Sequence, residues 1–255
     1  MTVVDMAPRT RGRALSVLVH ADTKVGKSTF GNTAPAPRLL LDAEAAYRFL
    51  PGTKVFWDPQ TEAPPKYDGT WETCVVIVQN YAVFTRALTW LQSGHHDFMS
   101  VVIDSITEIQ VKCKDEISPD GVMKIQLWGD LLTHMERAMR SFRDLTEHPT
   151  RPIQALIVTA MTEMRDGKWR PYVQGKLAVK APYLFDVIGY MFVEDVGNPN
   201  DPTQPPTKVR RLLVGKNNMF EADERVQGRL PEVVDYPTVP TMLNLVFGEI
   251  EGATQ

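Results

Sequence analysis

Seven stretches of this chain read as strands: 15–20, 38–42, 74–78, 100–104, 153–159, 187–194 and 208–214. The first of them are short, continuous apolar runs without polar alternation, the pattern of parallel strands covered on both faces. Between them the apolar spacing becomes helical. Tyr81, Phe84, Leu88 and Leu91 follow one such period. Leu127, Trp128, Leu131, Met135, Met139 and Phe142 follow another, in a long amphipathic helix ending near His148 and Pro149. These stripes are core faces. Alternating strands and helices predict an α/β fold with a central, mostly parallel sheet, flanking helices and right-handed crossovers. The last two strands, joined by the proline-rich stretch Gly197–Thr207, predict an antiparallel hairpin. A second irregular loop, Asp58–Thr70, holds three prolines and a glycine. No internal repeat or inter-domain linker is visible. The expected organisation is a basic, flexible leader over 1–13 and a single domain over 14–255.

The first strand candidate runs into candidate chemistry. Leu15, Val17, Leu18 and Val19 form its apolar run, and Asp22-Thr-Lys-Val-Gly-Lys-Ser-Thr29 follows. A tight loop before a helix points successive N–H groups at one spot, which suits a triphosphate. Asp22, Thr23, Lys24, Val25, Gly26, Lys27, Ser28 and Thr29 are therefore the candidate nucleotide-binding residues. Lys27 is expected to reach the β- and γ-phosphates, and the Ser28 hydroxyl to ligate Mg²⁺. Ala21 stands where the full motif has glycine. The alternative is a plain helix start with a solvated lysine.

Other candidates sit at strand ends, where α/β sheets bind ligands. The strand 38–42 ends in Asp42, with Glu44 two residues on. A carboxylate there suits the polarisation of an attacking water, although Asp42 also suits a helix cap. The strand 100–104 ends in Asp104, followed by Ser105, a pattern that suits Mg²⁺ held through water. After the strand 153–159 comes Glu163–Lys180, with Arg165, Lys168, Arg170, Lys176 and Lys180 interleaved with Trp169 and Tyr172. A flexible basic loop with aromatics suits single-stranded nucleic acid. A solvated β-hairpin with Trp169 packed on its own base is the competing reading.

Composition narrows the setting. A net charge of −3 confines any polyanion binding to local patches. Cys74 and Cys113 lack metal-like spacing and read as small apolar residues in a reducing compartment. Neither a signal-peptide pattern nor a membrane-spanning apolar run is visible, so a cytoplasmic chain with no membrane partner is expected.

These motifs together resemble a RecA-type ATPase, and within that group the short, core-only relatives of bacteriophages, the single-strand annealing ATPases of the Sak type. Leu41-Asp-Ala-Glu-Ala45 resembles a strand end whose glutamate positions the hydrolytic water, which implies that part for Glu44. Val102-Ile-Asp-Ser105 resembles the acidic strand. Val214-Gly-Lys-Asn217 resembles the strand that inserts a lysine into a neighbouring subunit's ATP site, which implies a catalytic role in trans for Lys216. The basic stretch after Ala160 corresponds to a DNA-binding loop, with Arg165, Lys168, Trp169, Arg170 and Lys176 as its contacts. Phe185-Asp-Val187 and Arg225 resemble features of the phage group without an assigned chemistry. The resemblance implies a RecA-like P-loop NTPase core that uses ATP and Mg²⁺. Its implied partners are single-stranded DNA, copies of itself in a ring or filament, and a single-strand-binding protein; its implied location is the host cytoplasm. Two departures bear on activity. Met161 replaces a polar sensor, leaving Thr159 and Thr162 as polar neighbours, and Asn218 replaces a second lysine in trans. A helicase loader or replication motor, a nucleotide-gated adaptor with little hydrolysis, and a small-molecule kinase stand as alternatives.

Overall fold

A computed structural model describes residues 12–175, 177–197 and 205–248. All seven residues of β1 (Leu15–Ala21) are buried, because neighbouring strands flank it on both edges and apolar clusters cover both faces. The chain then forms the short helix α1 (Lys27–Gly31), β2 (Arg38–Asp42), β3 (Lys54–Phe56), β4 (Thr73–Ile77), α2 (Tyr81–Gln92), β5 (Ser100–Asp104), α3 (Ile106–Ile117) and α4 (Ile125–Asp144). It continues through β6 (Ala155–Arg165), β7 (Lys168–Pro171), α5 (Leu177–Lys180), β8 (Val187–Val196), β9 (Thr207–Leu213), β10 (Asp223–Glu224), β11 (Val233–Asp235) and α6 (Val239–Phe247).

The main sheet runs β11-β9-β8-β1-β6-β5-β2-β4-β3, and the pairs from β8 to β3 are parallel. The late β8–β9 pair is antiparallel, with Tyr190 opposite Leu213 and Val196 opposite Thr207. One face packs under α2, α3 and α4, where Phe84, Phe98 and Phe142 are fully buried. Leu131, Met135, Met139 and Phe142 supply the buried stripe of α4, as helical spacing requires. The other face packs under α1 and α6 through Phe30, Val239, Met242 and Val246. Asn80, Ser105 and Thr238 cap α2, α3 and α6 with their side chains. Cys74 and Cys113 are buried free thiols, and burial pushes the Cys113 thiol up to about 12.

Three details differ from the sequence reading. Strand β6 does not stop at 159. It continues to Arg165, turns at Asp166-Gly167 and pairs antiparallel with β7, so the expected flexible basic loop is in large part a β-hairpin. Its outer part pairs only with β7, and such a ribbon needs no apolar run to form. Arg13, assigned to the leader, donates to the carbonyls of Phe247 and Gly248 at the end of α6; residues 1–11 lie outside the described residues. So do Lys176 and residues 198–204 of the β8–β9 connection. Asp186 and Arg225, which had no assigned chemistry, form a structural knot. Asp186 Oδ2 accepts from the backbone N–H and hydroxyl of Ser16, and its Oδ1 accepts from Arg225 at 2.8 Å. The pair stitches the starts of β1 and β8 to β10.

Candidate functional site

The register of the sheet brings the candidate residues to one edge. Asp42 and Asp104 are partners across β2 and β5, and Ala21 and Met161 are partners across β1 and β6. The loop after β1 needs unusual backbone at Lys24 (φ 64°) and Gly26 (φ 109°). Gly26 suits that conformation because it has no Cβ. Lys27 Nζ folds back over the loop and donates to the carbonyls of Ala21 (3.0 Å) and Asp22 (2.9 Å). Partial burial lowers its pKa, opposed by the charges of Glu44, Asp104 and Asp22. The lysine thus lies among the carboxylates of Glu44, Asp104 and Asp22. Thr23, Lys24 and Thr29 are exposed, while Val25 and Ser28 are half-buried.

Asp104, like Asp42, is almost wholly buried. Burial raises its pKa, and hydroxyls of Ser28 and Thr159 pull it back. Thr159, on the strand between β1 and β5, donates to Asp104 Oδ1, whereas the buried Oδ2 has no hydrogen-bond partner. A buried, unpaired carboxylate oxygen beside a serine hydroxyl fits Mg²⁺, which takes one or two protein ligands and completes its shell with water and phosphate. No group of three or more His, Cys, Asp or Glu residues converges as a metal cage among the described residues.

Asp42 and Glu44 divide two duties. Asp42 accepts from the backbone N–H groups of Glu44 (2.9 Å) and Tyr47 (2.7 Å), so it caps the turn that follows β2. Glu44 is exposed and accepts from the Ser105 hydroxyl. That bond ties Glu44 to the residue after Asp104 and leaves its other oxygen for solvent or substrate. Sequence reasoning passed over Arg210 of β9. Its Nε donates to Val25 O at 2.9 Å, and its guanidinium rests against Gly26.

The basic hairpin rises from the same edge. Arg165 is exposed. Lys168 and Arg170 both face Glu221, at 3.3 and 3.7 Å. Trp169 is half-buried, and its backbone pairs with Met219 and Glu221. Two of the candidate DNA contacts therefore already hold a carboxylate. Lys216 is exposed on the turn between β9 and β10, without an ion pair among the described residues. It lies outside the cluster around Lys27.

A strand, phosphate loop and helix, with an acidic strand end facing the loop serine, define a P-loop ATPase. Residues 13–226 match the AAA domain family, and the chain belongs to it. Among solved structures the chain is similar to a prototypical ATPase from the type III secretion system of pathogenic bacteria. The identity is 15% and the TM-score 0.43, over 70% of this chain and 52% of that one. The chain thus spans about half the length of that relative. No curated protein matches it by sequence. No helix among the described residues is long and apolar enough to cross a membrane.

Proposed function

We propose that this ATPase is a single-stranded-DNA-binding recombination protein of the phage Sak type, working as a ring or filament with ATP bound between subunits. The observation that carries the reading is the continuity of β6. This strand neighbours the phosphate-loop strand, supplies Thr159 to Asp104, and then becomes the hairpin bearing Arg165, Lys168, Trp169 and Arg170. A strand shared by the two sites gives nucleotide state a direct route to a cationic, aromatic surface.

In this reading the loop Asp22–Thr29 cradles the triphosphate and Lys27 leaves the carbonyls of Ala21 and Asp22 for its β- and γ-oxygens. Ser28 and Asp104 would hold Mg²⁺, which neutralises phosphate charge when bound. Glu44 orients the attacking water and accepts its proton, and Ser105 holds Glu44 in place. Lys216 of one subunit completes the site of the next, as an exposed cation without an ion pair among the described residues can. The strand of DNA lies on the hairpin, with cations on phosphates and Trp169 under a base.

Fluorescence anisotropy of a labelled oligo-dT tests this reading. Lys168→Ala with Arg170→Ala should flatten the slope of log affinity against log salt by about 1.4, and Trp169→Ala should cost about 1–3 kcal/mol. Unchanged affinity and slope in these variants would remove DNA from the hairpin. A second reading, a nucleotide-gated adaptor for a protein partner, draws support from the pairing of Lys168 and Arg170 with Glu221. It predicts no oligonucleotide binding at any nucleotide state.

A further inference from the structure

His20 is a fully buried, titratable side chain that the ATPase chemistry does not use. It is the last residue before Ala21, whose carbonyl receives Lys27. Its ring joins three parts of the molecule. Nε2 lies 2.8 Å from Glu221 O, Nδ1 lies 3.0 Å from Thr162 Oγ1, and the ring packs on Tyr190 at 5.3 Å. Tyr190 in turn stacks on Phe220 at 4.1 Å. Thr162 belongs to the basic hairpin, and Phe220 and Glu221 belong to the turn that bears Lys216.

The proton inventory of this junction is restrictive. A carbonyl only accepts, so Nε2 holds the proton that meets Glu221 O. Burial, together with Lys27 and Lys168 facing the ring, keeps His20 neutral, which makes Nδ1 an acceptor. The Thr162 hydroxyl therefore has one proton and two acceptors, His20 Nδ1 and Arg170 O at 3.2 Å. A small shift of β1 or of the hairpin re-aims that proton. The residue whose backbone His20 holds, Glu221, is also the one whose carboxylate neutralises Lys168 and Arg170.

From this junction we infer that His20 is a positioning residue that couples the nucleotide loop to the basic hairpin and to the Lys216 turn, through Thr162 and Glu221. Phosphate binding draws Lys27 off Ala21 and Asp22, the residues directly after His20. The ring passes that displacement to Glu221, and the grip of Glu221 on Lys168 and Arg170 changes. The coupling deepens the DNA reading above and rests on it for its biological use, but its physical content is independent of DNA.

The test accordingly reads the hairpin without DNA. Trp169 lies on the hairpin, and its emission is the difference between the chain and its Trp169→Phe form. A non-hydrolysable ATP analogue with Mg²⁺ is titrated into the full chain, and a fluorescent nucleotide reports affinity separately. The wild-type chain should show a saturable change in Trp169 emission. His20→Leu and Thr162→Val should abolish that change while nucleotide affinity stays within about threefold, a shift below the usual size of a coupling. His20→Gln, which keeps a donor for Glu221 O, should restore part of it. Thr162→Val keeps the strand-forming shape of the side chain, so it remains informative where His20→Leu does not fold. A full Trp169 response in Thr162→Val, or none in the wild-type chain at saturating nucleotide, overturns the inference. A Trp169 response that depends on His20 in a chain that binds no oligo-dT keeps the coupling and refutes the DNA reading.

Discussion

The guanidinium of Arg210 occupies the space that a side chain on Gly26 would need: a Cβ built there falls 2.5 Å from its central carbon. The glycine of the phosphate loop is thus required twice, once by its φ of 109° and once by an arginine from a distant strand. Left-handed backbone costs a non-glycine residue about 1–2 kcal/mol. The arginine is flexible at its end, so the backbone term dominates.

Gly26→Ala is therefore expected to weaken nucleotide binding by more than about tenfold, read with a fluorescent ATP analogue. Adding Arg210→Ala should recover only the part due to collision. Full recovery in the double variant would show that strain at residue 26 is unimportant.

Glu44 and Ser105 separate chemistry from binding. Glu44→Gln should leave nucleotide affinity unchanged and lower turnover by at least about a hundredfold, the usual worth of a positioned base. Ser105→Ala should lower turnover less and cost about 1 kcal/mol of stability as well, because Ser105 also caps α3. Steady-state hydrolysis and urea denaturation read the two effects. Equal turnover in Glu44→Gln and the wild-type chain would remove Glu44 from the reaction.

The knot at the start of β1 makes a stability prediction. Asp186 accepts two bonds from Ser16 and one from Arg225, and Arg225 itself is half exposed. Asp186→Ala should cost about 2–3 kcal/mol, since it strands the Ser16 donors. Arg225→Ala should cost under about 1 kcal/mol, as exposed ion pairs do. Urea midpoints at constant slope measure both, and a larger loss in Arg225→Ala would reverse the assignment.

How much of this was legible in the chain depended on burial. The strands 38–42 and 100–104 are continuous apolar runs ending in aspartate, and both have those bounds in the structure. Lys27, Ser28, Glu44 and Asp104 could be singled out as candidates because the ends of parallel strands share one edge of a sheet. The strand 153–159 was ended too early because 161–165 is half-buried to exposed and lacks a continuous apolar run, although a β-hairpin stood as the competing reading of the stretch after it. Helix α3 was missed because Thr107 and Gln110 on its buried face are polar and its apolar residues lie among charged ones. The three-residue strands β3 and β11 are too short to show a period. Glu221 lies more than fifty residues from Lys168, and no local pattern links them. His20 read as one more position in an apolar strand, since its partners Thr162 and Glu221 come from far along the chain.

Burial lowers the pKa of His20 to about 4 from an ordinary value of 6.5, and Lys27 and Lys168 add to the effect against the bond to Glu221. The folded chain therefore binds this proton less readily than the unfolded chain. The stability due to neutral His20 is complete above pH 6.5 and is lost as pH falls toward 4. Between pH 7.5 and 5 the loss amounts to about 2 kcal/mol from this residue. Denaturation of the wild-type chain and His20→Gln at the two pH values checks it. The variant should lack that part of the decline, and identical declines would show that His20 does not titrate between the two states.

The most direct test of the account is steady-state ATP hydrolysis with and without oligo-dT, using Glu44→Gln as the control. Turnover should rise with the oligonucleotide and disappear in Glu44→Gln. Turnover indifferent to single-stranded DNA, in a chain that binds and hydrolyses ATP, would contradict it.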